Sequence, residues 1–155
     1  MRRALFRLVK LPPRLLYGIG LGGLYGRIVL LLTTKGRRSG KPRITPLQYE
    51  RLDGVFVVAS ARGAAADWYR NIVTEPLVEV RVRRSRFSGT AETCIDPARI
   101  SDFLELRLKR HPRLVGRILR FRGLPDHPTR AQLEAYASRL TMVTITPTIR
   151  SPAAT

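Results

Sequence analysis

The sequence predicts one α+β domain that is mainly β: a small barrel of about six antiparallel strands with helices at its periphery. Three observations lead there. Strand-like runs succeed one another through hairpin signals, above all the Asp53-Gly54 pair. Strands and helices do not alternate in the β-α-β rhythm of a doubly wound sheet. At 155 residues, with 44% hydrophobic and 26% charged side chains, the chain is one globular domain with a real core.

The elements follow in order. Met1 to Lys10 suits a basic amphipathic helix, with Arg3, Arg7 and Lys10 beside Leu5, Phe6 and Val9. It fits either an anionic bilayer surface or the flank of the domain. Its charges and the Pro12-Pro13 pair argue against a signal peptide. Leu15 to Leu32 is apolar over a spanning length, but five glycines and Arg27 interrupt it. It divides into a Gly-rich segment ending at Gly26 and a buried strand, Ile28 to Thr34. The Gly-x-Gly-x-x-Gly match inside it follows no strand, which argues against a dinucleotide fold. Arg43 to Leu52 and Val55 to Ser60 form a hairpin about Asp53-Gly54. Asp67 to Thr74 reads as a short helix with Asp67 as N-cap, ended by Pro76. Val78, Val80 and Val82 alternate with charged residues as a half-buried strand, and Phe87 to Cys94 returns as its partner.

Asp96-Pro97 starts a helix to about Lys109, and Pro112 restarts one to about Phe121. Arg113, Arg117 and Arg120 form one face of that second piece. Thr129 and Gln132 form a capping box for a helix to about Leu140, and Thr141 to Thr146 is the last strand. In domain terms, residues 1–26 are an N-terminal helical segment, 27–148 the barrel and 149–155 a loose tail.

One stretch dominates the chemistry. Gly36 and Gly40 bracket Arg37, Arg38 and Ser39, with Lys35, Lys41, Pro42 and Arg43 beside them. Glycines let backbone N–H groups turn toward a ligand, and arginine offers a planar fork of donors to phosphate or carboxylate. The stretch reads as an anion cradle or as a solvated hairpin tip. It is not a P-loop, because only three residues separate the glycines and a strand follows.

The net charge of +18 implies anionic partners: a phosphorylated or carboxylated cofactor, a membrane surface or nucleic acid. The single cysteine, Cys94, forbids an internal disulfide and points to a reducing compartment. His111, His127 and Cys94 lack metal-ligand spacing. Ser39, Ser60 and Ser85 lack a nucleophile elbow, and acidic residues are scattered. An enzyme so built leaves the chemistry to a cofactor. A second cluster fits that view: Ser60, Arg62 and Gly63 end a strand, and Asp67, Trp68 and Asn71 open the next helix. Trp68 offers its face to a planar ring or belongs to the core.

The runs L-L-T-T-K-G-R-R-S-G-K-P-R-I-T-P-L, V-V-A-S-A-R-G and D-W-Y-R-N-I, in that order between Ile28 and Val82, resemble the deazaflavin-dependent nitroreductase family. The resemblance implies a split β-barrel that binds coenzyme F420, a phosphorylated, oligoglutamylated relative of flavin, with FMN as the alternative. It implies a hydride transfer to a quinone, nitro or enone-like acceptor. On it, Arg38, Ser39 and Arg43 resemble the phosphate-holding positions, framed by Gly36, Gly40 and Pro42. Lys35, Arg37 and Lys41 extend the set toward the glutamate tail. Thr45, Pro46 and Gln48 resemble the strand beside the deazaflavin. Ser60, Ala61, Arg62 and Gly63 resemble the next contacting segment, with Ser60 as candidate catalytic hydroxyl. Asp67, Trp68 and Asn71 resemble the helix that closes on the ring. Gln48 stands where that family often has an aromatic, and residues 98–140 lack its tyrosine-rich helix, retaining only Tyr136.

Two other functions use the same residues. One is a barrel that carries a cofactor or lipid without turnover. The other is nucleic-acid binding, which the 7% aromatic content and the lack of interleaved basic and aromatic residues disfavour. The two basic amphipathic segments, Met1 to Lys10 and Arg113 to Arg122, place the protein in the cytoplasm with reversible contact to an anionic inner leaflet.

Overall fold

A computed structural model describes residues 29–148. The readings of Met1 to Lys10, of the Gly-rich segment and of the tail beyond Thr148 lie outside the described residues. The described chain forms strands β1 (Val29–Lys35), β2 (Pro42–Gln48), β3 (Glu50–Leu52) and β4 (Val55–Ser60). A 3-10 turn (Gly63–Ala65) and helix α1 (Asp67–Thr74) follow, then β5 (Leu77–Val82) and β6 (Ser85–Cys94). Helices α2 (Pro97–Arg110), α3 (Pro112–Phe121) and α4 (Arg130–Ala137) precede β7 (Thr141–Pro147).

The strands form a seven-stranded sheet in the order β2-β1-β5-β6-β7-β4-β3, with every neighbouring pair antiparallel. The expected six strands become seven because the run from Arg43 to Leu52 breaks at Tyr49. That break shapes the molecule. Only Tyr49 lies between β2 and β3, yet these strands are the two edges of the sheet. A flat sheet of this width would hold its edges roughly 29 Å apart. One residue reaches about 3.5 Å. The sheet therefore curls on itself until its edges meet. β2 accommodates Pro42 and Pro46 because an edge strand has one side without ladder partners.

Two apolar layers hold the curl. Inside it, Leu30 and Leu32 of β1, Val78 and Val80 of β5, Phe56 and Val58 of β4, and Val143 and Ile145 of β7 meet Trp68, Tyr69 and Ile72 of α1. Phe56 links Tyr49 and Phe87 by tilted ring contacts at 5.5 and 5.1 Å. Outside it, Val57 of β4 and Met142 of β7 carry Ile100, Phe103, Leu104, Val115, Leu119 and Leu133 from α2, α3 and α4. β4 and β7 are thus covered on both faces, which is why Phe56, Val57 and Val58 are consecutive buried residues. Each fully buried aliphatic side chain contributes about 1.5–3 kcal/mol.

Local signals fix the ends of the elements. Asp53 and Gly54 have φ of 48° and 83°, which gives the two-residue turn between Leu52 and Val55 its twist. The Asp96 carboxylate accepts from the Ala98 N–H, and Thr129 and Gln132 form the expected capping box. α4 is shorter than expected and ends at Ala137. At α1 the expectation fails. The N-cap is Ala66, and Asp67 is the first helical residue. Its carboxylate serves another partner, described below. Asp67 still lies where a helix favours negative charge.

Gly63 enters its turn with φ of 58°, and a Cβ there would lie 2.5 Å from the Arg139 carbonyl oxygen. Gly63→Ala is expected to cost about 2–3 kcal/mol, combining left-handed strain with the close approach, and to lower Tm by roughly 5–10 °C. Gly54→Ala, at φ of 83° with nothing within 4 Å of the new Cβ, meets the strain alone and loses less. Equal losses in thermal unfolding would show that the Arg139 contact has no part.

Candidate functional site

The β1–β2 hairpin ends in a tight loop. The Gly36 N–H donates to the Lys41 carbonyl, and the Gly40 N–H to the Gly36 carbonyl, both at 2.8 Å. The Lys41 N–H donates to Ser39 Oγ at 3.2 Å. A Cβ at Gly36 would meet that Oγ at 2.8 Å, so the loop closes only around glycine.

Arg37 turns inward to α1. Its backbone N–H and Nη1 both donate to Asn71 Oδ1, at 3.2 and 2.9 Å. Its Nη2 donates to Asp67 Oδ1 at 3.0 Å. Asn71 is buried and passes its amide N–H to Thr34 Oγ1 at 3.2 Å. Arg37, Asp67 and Asn71 thus latch the loop to the helix. The hydrogen bond from Arg37, with its charge, holds the Asp67 carboxyl below the usual carboxylate range. The other cations differ. Among the described residues, Lys35, Arg38, Lys41 and Arg43 have no carboxylate partner. All four except the half-buried Arg43 are exposed.

β2 leads from this loop to a cleft of about 550 Å³, the size of a small-molecule site. Pro46 and Gln48 of β2 and Ala61 beyond β4 form one wall. Leu104, Val115, Ile118, Phe121 and Tyr136 of the helices form the other. Burial pushes the Tyr136 phenol up from its ordinary pKa, against the opposing Arg122 charge. Thr45 lies half-buried on β2 between loop and cleft.

Three further expected residues lie at the end of β4, just beyond it and on α1. Ser60 is buried and its Oγ donates to the Gly63 carbonyl at 3.0 Å, fastening the turn after β4. Arg62 stands at the N-cap position of that turn, makes no side-chain capping hydrogen bond and is exposed. Trp68 is buried in the inner core, edge-on to Tyr69 at 6.3 Å between ring centres.

One group was not foreseen. Glu50, 5% exposed, is met by Arg107 Nε at 3.4 Å, Arg110 Nη1 at 3.2 Å and His111 Nε2 at 3.1 Å. Arg107 Nη2 also donates to Gln48 Oε1 at 2.6 Å. Burial pushes the Arg107 guanidinium below its ordinary pKa, and Glu50 draws it back. The only sequence signal was an isolated acid two residues from Gln48 in an arginine-rich chain.

The curled antiparallel sheet and the groove from a cationic loop to an apolar cleft define a split-barrel-like protein. The chain belongs to the F420H(2)-dependent quinone reductase family, whose model matches residues 16–113. It is 35% identical over 66 residues to the F420H(2)-dependent quinone reductase Rv1261c of Mycobacterium tuberculosis. That match covers 41% of this chain, and the chain spans 44% of the relative. A solved F420 reductase superposes with a TM-score of 0.54 at 18% identity, over 79% of this chain and 87% of that one. A solved F420-H2 dependent reductase, FDR-A, gives 0.52 at 24% identity, over 77% and 93%.

Asn71→Ala is expected to cost about 2–3 kcal/mol, because it strands the Arg37 N–H and removes the partner of a buried Thr34. Arg37→Ala is expected to cost less, since its backbone N–H keeps Asn71. A larger loss from Arg37→Ala in urea unfolding would assign the latch to the guanidinium instead. The lowered pKa of Asp67 makes its contribution present above the usual carboxylate pKa and lost as pH falls through the lowered one. Asp67→Asn should flatten that acid limb.

Proposed function

We propose that the protein transfers a hydride from reduced coenzyme F420 to a quinone-type acceptor. The observation that carries the reading is β2, which joins four cations without carboxylate partners among the described residues to an apolar cleft. Its seven residues span about 20 Å, the form expected for an elongated ligand with an anionic tail and a planar head. The donor set fits such a tail: Lys35, Arg38, Lys41 and Arg43 offer charge and N–H groups only, and the Arg37 latch fixes the loop that carries them.

The coenzyme, when bound, supplies the hydride. The chain's residues do the rest. The loop cations bind the phosphate and glutamates, Pro46 and Gln48 border the ring, and α2, α3 and α4 cover the cleft. Excluding water there strengthens every polar contact. Ser60 acts through its turn, not as a proton donor, because its hydrogen is committed to Gly63. Family membership supports the coenzyme.

Titration with the oxidised coenzyme, followed by its fluorescence, should saturate at micromolar concentration. Arg38→Ala and Arg43→Ala should each weaken binding about 10- to 150-fold, the worth of a charge-assisted contact. Absence of saturable binding would dismiss the reading.

The place of action is proposed from α3. Phe121 is 87% exposed at its end, beside Arg113, Arg117 and Arg120. No helix among the described residues is long and apolar enough to cross a membrane. Instead α3 rests on an anionic bilayer and opens the cleft to an acceptor dissolved there. Anionic vesicles should retain the protein in flotation and release it at about 0.5 M salt. Phe121→Ser should reduce retention; equal retention on neutral vesicles would refute this placement.

A further inference from the structure

The cleft has a polar end, and its charge is one-sided. Arg107, Arg117 and Arg122 line it, and among the described residues no aspartate or glutamate does. Arg117 and Arg122 lie on the exposed rim. Arg107 is different: its side chain is 12% exposed and fixed from two sides. Nε is held by Glu50 and Nη2 by Gln48, which leaves three of its five N–H bonds without a partner among the described residues. Two guanidiniums, Arg107 and Arg110, share the one carboxylate of Glu50. The cluster therefore keeps a positive charge in excess, at the point where desolvation already disfavours it. A guanidinium can only donate, so Gln48 must offer Arg107 its oxygen. The Gln48 amide N–H groups then have no partner among the described residues, and Gln48 also lines the cleft.

We propose that Arg107 and Gln48 are the anchor for a ring oxygen of the hydride acceptor, and that the cleft selects planar acceptors whose ring oxygen carries negative charge. This deepens the reading of the cleft as the place where the coenzyme ring meets its acceptor, and rests on it. The walls of Leu104, Val115, Ile118 and Tyr136 receive the ring, and the fork of N–H groups at the buried end receives the oxygen. Glu50, Arg110 and His111 act as positioning residues, holding the guanidinium at the end of the cleft.

The test is equilibrium binding of two quinones of nearly equal size to the full chain, by calorimetry. One is 2-hydroxy-1,4-naphthoquinone, an anion at neutral pH, and the other 2-methyl-1,4-naphthoquinone, which is neutral. The anion is expected to bind at least about tenfold more tightly, and Arg107→Met is expected to erase that ratio by weakening the anion at least about tenfold more than the neutral quinone. Gln48→Met, which removes no charge, should weaken both. Arg107→Met leaves Glu50 to Arg110 and His111; if it does not fold, the pair Glu50→Gln with Arg107→Met removes both charges and takes its place. Equal affinities in the unaltered protein would overturn the proposal. So would a preference that survives loss of Arg107 and disappears with Arg117→Gln or Arg122→Gln. Coenzyme titration of the same variants separates the two readings. If Arg107→Met weakens the coenzyme and neither quinone, the buried end holds the coenzyme's ring and the anchor assignment fails. If the unaltered protein binds the quinone anion but not the coenzyme, the anchor stands and the proposed reaction fails.

Discussion

A single residue between two edge strands sets the terms for the rest of the molecule. Tyr49 joins β2 to β3 across what would otherwise be the full width of the sheet. The curl that this forces brings Gln48 and Glu50, residues of opposite edges, beneath one helix. Arg107 of α2 then reaches both, with one guanidinium nitrogen on each. The closure of the sheet and the polar end of the cleft are thus the same set of contacts. The apolar ring of Tyr49 is buried against Phe56, so the crossing point is anchored from inside as well.

The arginines fall into two kinds, and burial separates them. Arg37 and Arg107 are both held by protein groups and have little exposed surface, though Arg107 keeps three N–H bonds without a partner among the described residues. Removing the Glu50 carboxylate would leave the buried Arg107 guanidinium uncompensated, which generally costs about 3–5 kcal/mol. Arg130 also works within the protein, on the surface. It gathers Asp102, Glu105 and Glu134, which raises its pKa and ties α4 to α2. Arg38 and Arg43 have no such employment. Their charges are open to an anion, as the proposed tail site requires.

What was legible in the sequence was local. Asp53-Gly54 sets its own turn, Asp96-Pro97 its own helix start, and Thr129 with Gln132 its own cap, because each depends on neighbours within a few residues. The split at Tyr49 was not legible, since the alternation of polar and apolar residues runs on through it and only the sheet's closure requires the switch. In the site, the glycine-framed loop and the strand after it were visible as composition. Which arginine is consumed internally was not. Arg37 and Arg38 are adjacent and alike, and the choice is made by Asn71, 34 positions away. Glu50 and Arg107 are 57 apart, and no periodicity connects such a pair. Trp68 and Ser60 were read for chemistry because their residue types carry it; their burial, at 8% and 3% exposure, was not legible.

The sheet order has a consequence for how the chain is assembled as it is made. β7 is the last of the described strands, yet it lies between β6 and β4 near the middle of the sheet. Until it emerges from the ribosome, the nascent chain holds two separate half-sheets, β2-β1-β5-β6 and β4-β3, each with an open inner border. Helices α2 to α4 are already complete by then, with only part of the floor they cover in place. Closure joins residues that are far apart in sequence, which is the slow kind of folding step, and the open borders are where a second nascent chain would pair wrongly.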